Sequence, residues 1–301
     1  YHFPILRAGG CHVIPRSCGF DPTEIAGLAQ DLGNLVFFAA PTMIKRQLAH
    51  AAETGYDGTG IKTIIYGGGP MYLADINEAL RRFGPRFVQI YGQGESPMTI
   101  TVLPRNVVAD VSHPRADARR ASVGFAQVGL QVRVVDKTMQ DMPIGEVGQI
   151  VVAGDTLMKG YWCNPQATAD AIVDGWLCTG DLGSFDADGF LSLTDRSKDV
   201  IISGGTNIYP REVEETLLAH ALVSEASVIG IPSSEWGEDV VAFIVLREGA
   251  TCETAELDSW CKTRIASFKK PKKYYFMQDL PKNSYGKVLK TSLREHAATL
   301  N

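Results

Sequence analysis

The amino-acid sequence predicts an α/β protein made of a large α/β domain, an accessory β-region and a smaller α+β domain. Between Lys62 and Tyr91, a β-branched strand, a glycine turn, a helix and a second apolar strand follow one another, which is typical of a parallel βαβ unit. From about Val123, short strands alternate with Gly, Pro and Asp, as in a small antiparallel sheet or barrel. New helices and strands follow the charged segment Asp195–Asp199, and the length of 301 residues also favours two domains.

The individual elements are predicted from caps and apolar periodicity. Asp21 is a suitable N-cap for a helix that begins at Pro22, because Pro fits the first helical position and Glu24 completes the capping pattern. A second helix begins at Pro41. The other predicted helices cover residues 71–83, 210–219 and 254–265, and the predicted strands cover residues 62–66, 87–91, 131–135, 149–152, 227–231 and 240–245. We divide the chain into residues 1–195, with the β-rich region at about 123–195, and residues 196–301.

Charge and composition exclude several classes of partner and site. The formal charge is −5, from 29 Lys and Arg against 34 Asp and Glu, which argues against nucleic acid and an anionic membrane surface as partners. No apolar run approaches the roughly 18 residues of a membrane helix, so no integral membrane segment is expected. The six cysteines form no C-x-x-C pair, which predicts reduced thiols and a cytoplasmic protein. None of the six histidines has a partner at metal-ligand spacing, so no structural zinc is predicted.

Two glycine-rich loops follow predicted strands. Gly67–Gly69 and Pro70 open a helix, so backbone amides and the helix dipole can face an anionic ligand, although an ordinary βα turn has the same pattern. The segment Tyr91-Gly92-Gln93-Gly94-Glu95 lies at the carboxyl end of the next strand, where open α/β sheets bind ligands. The Glu95 carboxylate is suited to Mg²⁺ beside a polyphosphate, or it is simply a solvated side chain.

Charged residues in later turns are candidates for nucleotide chemistry. Asp181 lies in a Gly turn, where its carboxylate can accept hydrogen bonds from both hydroxyls of a ribose or stabilise the turn. Lys287 follows Gly286 in a loop and can offset negative charge at phosphorus during substitution, or remain solvated. The basic run Phe268–Lys273 can contact the phosphates of a nucleotide-containing coenzyme as point charges, or form a solvated basic face.

Taken in order, these motifs resemble those of the adenylate-forming superfamily, which contains acyl-CoA synthetases, adenylation domains of peptide synthetases and beetle luciferases. The shared pattern covers essentially the whole chain: a GGxP turn, a Y-G-x-T-E-like loop, a G-E-x-G-E-I-like strand, a T-G-D turn, an R-x-K-D hinge with G-G-x-N-I-x-P-x-E-V-E, and a P-x-x-x-x-G-K loop. The resemblance implies the carboxyl-terminal part of a large AMP-binding domain with its accessory β-region, followed by a small α+β lid domain.

The resemblance also implies roles for individual residues. Lys287 would be a catalytic residue that contacts the acyl carboxylate and the α-phosphate in the first half-reaction, and Glu95 would serve catalysis as the Mg²⁺ ligand. Lys198 would be the hinge at which the lid rotates between an adenylating and a thioester-forming arrangement, and Gly204 and Gly205 would line the passage of CoA. The residues expected at the AMP or ATP site are Gly67, Gly68, Gly69, Tyr91, Gly92, Gln93, Gly94, Asp181 and Arg196.

The chain departs from the family pattern in three respects. Gly94 stands where the family usually has Thr, and Gln149 replaces the second Glu of the G-E-x-G-E strand. The Ser/Thr/Gly-rich phosphate loop that precedes these motifs in the family is absent from the sequence. We therefore expect the chain to be part of a longer enzyme and to be inactive as given. The alternative is a naturally truncated, inactive homologue that acts as a binding protein.

The activity expected of the full enzyme is that of an acyl-CoA ligase. It would use ATP and Mg²⁺ to convert a fatty or aromatic carboxylic acid into an acyl adenylate, and would then transfer the acyl group to CoA. The segment Ser203–Pro210 favours CoA as the acceptor, and the alternative is a stand-alone adenylation enzyme that loads a carrier protein. The identity of the acid stays open, as does the oligomeric state, for which a homo-oligomer is one option.

Overall fold

The computed structural model describes residues 2–69, 71–283 and 286–299. Pro70 of the predicted glycine turn, and Ser284 and Tyr285 of the predicted lysine loop, lie outside the described residues. The helices are α1 (His2–Arg7), α2 (Pro22–Leu32), α3 (Pro41–Thr54), α4 (Leu73–Phe83), α5 (Arg105–Ala109), α6 (Ala116–Ala121), α7 (Pro165–Ala171), α8 (Pro210–Leu218), α9 (Thr254–Lys262) and α10 (Lys290–Thr299). The strands are β1 (Leu35–Ala39), β2 (Ile61–Tyr66), β3 (Phe87–Gln93), β4 (Ser96–Leu103), β5 (Phe125–Ala126), β6 (Leu130–Val135), β7 (Gly148–Gly154), β8 (Ile172–Val173), β9 (Trp176–Phe185), β10 (Leu191–Arg196), β11 (Ile201–Ser203), β12 (Thr206–Ile208), β13 (Val223–Ser233), β14 (Gly237–Leu246) and β15 (Lys273–Met277).

The first sheet has five strands in the order β1-β2-β3-β4-β5. Strands β1 to β3 are parallel, and β4 and β5 continue the sheet in antiparallel pairs. The predicted βαβ unit is confirmed, because α4 connects the parallel strands β2 and β3. Strand β1 is not among the predicted elements, since a short continuous apolar run has no diagnostic period. Helices α2, α3 and α4 cover the sheet with an apolar core that includes Ala29, Ile44, Ile64, Ile76 and Phe83.

The helix starts follow local sequence signals with small differences. The Asp21 side chain accepts a hydrogen bond from the Glu24 amide at 2.9 Å, so the predicted N-cap of α2 is confirmed. Helix α4 begins at Leu73, two residues later than predicted, because Tyr72 is extended and is the N-cap residue. Helix α9 ends at Lys262, earlier than predicted, where the following amides bond back across a tight turn.

The second sheet is antiparallel, as predicted for the accessory region. Its order is β10-β9-β7-β6, and the short β8 pairs with β9. It packs directly against the first sheet, because Ile150 and Leu191 share one apolar cluster with Tyr91 and Ile100. This shared core fixes the carboxyl end of β3 relative to β9, the strand that contains Asp181.

The third sheet forms a compact α+β unit with three of the helices. Its order is β12-β11-β14-β13, and β15 runs parallel to β14. Helices α8 and α9 cover one face through Val213 and Leu257, and α10 covers the other through Leu293. A single 3-10 turn, Ser197–Asp199, leads from β10 into this unit. The boundary that we predict between residues 195 and 196 lies beside this turn and stays a prediction.

Two further findings concern the described chain as a whole. Across residues 2–69, 71–283 and 286–299, no helix has the length and apolar character needed to cross a membrane. All six cysteines belong to these ranges, and all are free thiols. Their exposure differs, since Cys11, Cys18 and Cys163 are exposed whereas Cys261 is buried.

Candidate active site

A cavity of about 310 Å³ lies between the first sheet and the α+β unit. One wall is formed by the turn after β2, the end of β3 and the start of α3, and the opposite wall by the segment around Arg196 and the loop of Lys287. The carboxyl ends of parallel strands meet here, at the edge where open α/β sheets bind ligands. The predicted site residues that line this cavity are Gly68, Gly69, Tyr91, Gly92, Gln93, Asp181, Arg196 and Lys287.

Asp181 is the centre of a hydrogen-bonded cluster in the cavity wall. Its Oδ2 atom accepts hydrogen bonds from the Tyr91 hydroxyl and the Gln93 side-chain amide, both at 2.7 Å. Arg196 Nε lies 3.3 Å from Asp181 Oδ1. Burial and the negative charge of Asp181 raise the pKa of the Tyr91 phenol, so Tyr91 remains a neutral donor. The cluster therefore orients a buried carboxylate and holds a guanidinium beside it.

The turn that carries Asp181 is built from backbone and hydroxyl contacts. Gly180 has a φ of 72°, a left-handed conformation that favours glycine. The Asp181 amide donates to Thr179 Oγ1 at 3.1 Å, and the Thr179 hydroxyl donates to the Ile150 carbonyl at 2.8 Å. The Gln93 side-chain amide also donates to the Thr179 carbonyl at 2.8 Å. These contacts join the end of β3 to β9, so both strands reach the cavity together.

Lys287 reaches the same cavity from a tight turn. Its amide donates to the Asn283 side chain at 2.9 Å, and the Asn283 amide donates to the Lys287 carbonyl at 2.9 Å. Burial and the positive charge of Arg196 lower the pKa of Lys287 below its ordinary value, although the charge of Asp181 opposes this shift. Phosphate charges would favour the protonated amine. The turn thus presents a partly desolvated amine to an anionic ligand.

Gly286 and Lys287, which we call the Lys287 turn, lie very close to the start of α3. Gly286 has a φ of 78°, and a Cβ placed on it would lie 2.4 Å from the Thr42 hydroxyl oxygen. Thr42 is in the first turn of α3, on the opposite wall of the cavity. The α+β unit, which is the predicted lid, is therefore closed over α3 with Lys287 at the cavity.

Glycines allow close backbone approaches between the end of β2 and β3, and between β3 and β4. A Cβ on Gly67 would lie 2.4 Å from the Ile90 carbonyl oxygen, and a Cβ on Gly92 would lie 2.4 Å from the Met98 amide nitrogen. Gly68, with a φ of 78°, then turns the chain along the cavity wall. A larger residue at either crowded position would displace the backbone.

The predicted Mg²⁺ ligand Glu95 has a different environment. Among the described residues, those that line the cavity do not include Glu95 or Gly94. Glu95 Oε1 accepts a hydrogen bond from the Tyr161 hydroxyl at 2.6 Å, and the Glu95 carbonyl accepts one from the Met158 amide at 2.7 Å. Gly94 is exposed, and a Cβ placed on it would have no atom within 4 Å. The Tyr161 contact has no signal in the sequence, because it joins two loops 66 residues apart.

Lys198 and the Gly204–Gly205 pair are not among the cavity-lining residues of the described chain. Lys198 is an exposed residue of the 3-10 turn. Gly204 and Gly205 form the turn between β11 and β12, with φ angles of 57° and 75°. A Cβ on Gly204 would contact the Trp236 ring at 2.9 Å, whereas a Cβ on Gly205 would face open space. The predicted CoA-passage residues are thus separate from the predicted nucleotide residues at this lid position.

The basic run Phe268–Lys273 is largely compensated by carboxylates. Three of its lysines form ion pairs within the lid. These pairs are Lys269 with Glu212, Lys270 with Asp258 and Lys272 with Asp239. The charges that we considered for nucleotide phosphates are therefore already engaged.

Several charged residues at the cavity were not predicted from the sequence. Glu214 and Lys290 line the cavity, and their Oε1 and Nζ atoms lie 3.0 Å apart. Asp195 Oδ2 accepts a hydrogen bond from the Arg211 amide at 3.0 Å, in the first turn of α8. Glu214 and Asp195 fall inside the hinge motif, but the motif does not indicate their partners. Lys290 falls in no motif.

His220, Cys252 and Glu256 lie together in the lid, which their spacing does not predict. His220 Nε2 lies 3.4 Å from Glu256 Oε1, and the Cys252 thiol donates to Glu256 Oε2 at 3.5 Å. The Leu222 amide donates to His220 Nδ1 at 3.4 Å, which puts the ring proton on Nε2. Burial and Glu256 raise the pKa of Cys252 to about 11. The three side chains therefore form a hydrogen-bonded cluster within the lid.

Comparison with known families agrees with the fold. Residues 1–162 match the AMP-binding enzyme family, and residues 212–287 match the C-terminal domain of AMP-binding enzymes. The first match alone covers more than half of the chain. The chain therefore belongs to the AMP-binding enzyme family.

Individual relatives differ in the acceptor that their names state. Feruloyl-CoA synthase of Amycolatopsis sp is 36% identical over 291 residues, which are 97% of this chain and 57% of the relative. Fatty acid–[acyl-carrier-protein] ligase ScoC of Streptomyces coeruleorubidus is 34% identical over 290 residues, which are 96% of this chain and 54% of the relative. The structure of amide bond synthetase McbA from Marinactinospora thermotolerans has a TM-score of 0.85 and 31% identity, and the match covers 92% of this chain and 56% of McbA. The chain spans about half the length of these relatives.

Proposed function

We propose that the full-length protein is an acyl-CoA ligase, which activates a fatty or aromatic carboxylic acid with ATP and transfers the acyl group to CoA. Asp181 and Arg196, which precede the 3-10 turn in the chain, and Lys287, which follows it, line the same cavity. This observation carries the proposal. Membership of the AMP-binding enzyme family supports ATP as the nucleotide that activates the acid. The relatives named for feruloyl and fatty acyl groups support the class of acid.

In the first half-reaction, an oxygen of the acid attacks the α-phosphorus of ATP, a new P–O bond forms and pyrophosphate leaves. Asp181, oriented by Tyr91 and Gln93, accepts hydrogen bonds from the ribose hydroxyls. The Lys287 ammonium offsets the negative charge that increases on the phosphoryl oxygens and orients the attacking carboxylate. Arg196 is close enough to exchange its contact with Asp181 for one with the nucleotide.

Mg²⁺ is expected to accompany ATP, and Glu95 is the ligand that we propose. One carboxylate suits this ion, because Mg²⁺ keeps water molecules and phosphate oxygens as its other ligands. Glu95 is partly exposed in the loop after β3, and its Oε1 atom accepts a hydrogen bond from the Tyr161 hydroxyl. A bound ion would share or displace that contact. The ion would neutralise part of the polyphosphate charge.

In the second half-reaction, the lid rotates at Lys198 and brings the Gly204–Gly205 turn to the cavity. The CoA sulfur then attacks the acyl carbon, a C–S bond forms and AMP leaves. The separation of this turn from the cavity at the present lid position supports such a rotation.

A carrier protein is the second candidate acceptor, because one relative is named as an acyl-carrier-protein ligase. The first half-reaction would be identical, so the two proposals differ only in the thiol. Supplying CoA and a phosphopantetheinylated carrier protein in separate reactions distinguishes them. Thioester formation on the carrier alone would reject CoA as the acceptor.

The test of the proposed function uses the full-length enzyme and a panel of aliphatic, branched and aromatic acids. Pyrophosphate release is measured with and without CoA, and acyl-CoA is measured by chromatography. We expect acid-dependent pyrophosphate release and formation of acyl-CoA. A complete lack of acid-dependent pyrophosphate release with every acid would reject adenylation.

We further propose a cytoplasmic location, with the carboxylic acid, ATP and CoA as small-molecule partners and a homo-oligomer as one option. ATP and CoA are the co-substrates that the proposed reaction needs, and both are supplied in the cytoplasm. Free cysteines in the described structure are compatible with a reducing compartment. Fractionation of cells that express the full-length protein tests this location.

A further inference from the structure

Glu214 is a buried lid carboxylate with partners on both sides of the 3-10 turn. Its side chain is 6% exposed. The Oε1 atom accepts a hydrogen bond from the Val228 amide at 2.9 Å and lies 3.0 Å from Lys290 Nζ. The Oε2 atom accepts a hydrogen bond from the Tyr72 hydroxyl at 3.0 Å. Both oxygens are therefore compensated, which a buried carboxylate requires.

Two of these partners, Val228 and Lys290, belong to the lid, and they hold Glu214 beside the segment that follows Lys287. Val228 is in β13, and Lys290 is the first residue of α10, only three positions after Lys287. Burial acts to lower the pKa of Lys290, but the charges of Glu214 and Asp195 raise it above its ordinary value. Lys290 therefore stays charged, and its ion pair with Glu214 holds the point where the Lys287 turn enters α10.

The third partner lies on the other side of the 3-10 turn. Tyr72 follows the glycine turn of the cavity and is the N-cap residue of α4. Burial, together with the charge of Glu214, raises the pKa of Tyr72, which keeps its hydroxyl a neutral donor. Nearby, Lys45 of α3 donates to the Ser224 carbonyl of β13 at 3.3 Å. Rotation at Lys198 would break both of these contacts and leave the contacts within the lid intact.

We propose that Tyr72, Glu214 and Lys290 form a lid latch that positions Lys287 for adenylation and releases before thioester formation. This inference rests on the proposed function. While the lid is closed, Tyr72 satisfies Glu214 Oε2. After rotation this oxygen loses its donor, which biases the lid toward the position that presents Lys287. Tyr72 and Glu214 are positioning residues, because they act through Lys287 and need no contact with the reacting atoms.

Tyr72→Phe in the full-length protein tests the latch by removing one hydroxyl and keeping the ring. We expect single-turnover formation of acyl adenylate to fall about 10-fold, because a hydrogen bond to a buried charged group is lost. Thioester formation from supplied acyl adenylate should be unchanged or faster. The matched control is Tyr56→Phe, which removes a hydroxyl bonded to the Thr59 carbonyl at 2.7 Å and should change neither half-reaction.

Glu214→Gln tests the other end of the latch. The variant keeps the shape but has no negative charge to hold Lys290, so adenylation should fall at least as far as in Tyr72→Phe. The matched control is Glu215→Gln on the same helix, where the partly exposed Glu215 pairs with Arg211 at 3.0 Å. This control should remain close to wild type in both half-reactions. Equal losses in both half-reactions of Glu214→Gln would indicate general damage and overturn the latch.

The lid position also has a readout that does not depend on catalysis. Lys45 Nζ reaches the Ser224 carbonyl at 3.3 Å, so the thiols of Lys45→Cys and Ser224→Cys can be bridged by a short bis-thiosulfonate crosslinker while the lid is closed. We expect Tyr72→Phe to slow this crosslinking several-fold relative to Tyr56→Phe. Equal crosslinking rates, or unchanged adenylation in Tyr72→Phe, would overturn the latch. A wild-type enzyme with no adenylation would reject the proposed function, whereas the crosslinking rates would still decide the latch.

Discussion

Two turns of the lid differ in how they are held. The Lys287 turn is packed into the cavity, where Gly286 approaches Thr42 so closely that no Cβ would fit. The Gly204–Gly205 turn is exposed, and a Cβ on Gly205 would have no neighbour within 4 Å. Both turns belong to one packed α+β unit, so they move together. In the rotation that we propose, a rigid lid would present one turn to the cavity only by withdrawing the other.

The largest expected effect is on the packed turn. Lys287→Ala in the full-length enzyme should slow adenylate formation about 10²–10³-fold, because the charge that offsets the phosphoryl oxygens is lost. Thioester formation from supplied acyl adenylate should stay within about 3-fold of wild type, since the turn is then withdrawn. Rapid-quench measurement of each half-reaction checks this, with Lys262→Ala, a more exposed lid lysine, as the control. Equal loss in both half-reactions would remove the contrast between the turns.

The next largest effect should come from the hinge. Lys198→Pro restricts the backbone of residues 197 and 198 and should slow the thioester step by roughly 10-fold or more, with a smaller change in adenylation. The control is Lys198→Ala, which removes the side chain without restricting the backbone. Unchanged thioester kinetics in the proline variant would exclude Lys198 as the pivot.

For the exposed Gly204–Gly205 turn we predict a complementary and smaller effect. Gly205→Ala should leave adenylation unchanged, because the added methyl group faces open space at this lid position. It should raise the KM for CoA about 10-fold if the turn lines the thiol passage, since even one misplaced group disturbs reaction geometry. The matched control is Gly129→Ala, which also has a left-handed φ and no neighbour within 4 Å. A KM for CoA that rises equally in both variants would trace the effect to backbone strain.

A pH profile tests the charge that the Lys287 turn presents to the cavity. The pKa of Lys287 is lowered by burial and by Arg196, so the amine loses its proton below its ordinary pKa of 10.5. The kcat/KM for adenylation, which reports the free enzyme, should therefore decline with rising pH earlier than an ordinary lysine would allow. Lys287→Arg stays protonated and should move this decline to higher pH. Identical alkaline profiles would mean that Lys287 does not cause the decline.

The smallest effect is expected at Gly94, where the family usually has Thr. Gly94→Thr enters open space, so stability should change by no more than about 0.5 kcal/mol. The restored hydroxyl should lower the KM for ATP by roughly 2- to 5-fold, because one exposed hydrogen bond contributes about 0.5–1 kcal/mol. Gly92→Thr is the contrasting variant and should destabilise the protein, since a Cβ there would lie 2.4 Å from the Met98 amide nitrogen. An unchanged KM for ATP in Gly94→Thr would place the phosphates away from this loop.

Sequence information was sufficient where the determinants are local or shared by a motif. The cap of α2 follows from Asp21 and Glu24, which contact each other within one turn. Tyr91 and Asp181 are 90 residues apart, yet their grouping was predicted because both belong to motifs of one family. Contacts such as Tyr72 to Glu214, across 142 residues, were not predicted, because no periodicity or motif encodes which side chains meet across the lid.

We propose that the closed lid serves adenylation and excludes thioester formation. Acyl adenylate is formed on the full-length Lys45→Cys and Ser224→Cys double variant, the two thiols are bridged with a short, reducible bis-thiosulfonate crosslinker, and CoA is then added. We predict no thioester until a reductant cleaves the bridge, after which acyl-CoA appears. Formation of acyl-CoA at the uncrosslinked rate while the bridge stays intact would show that a closed lid permits thioester formation.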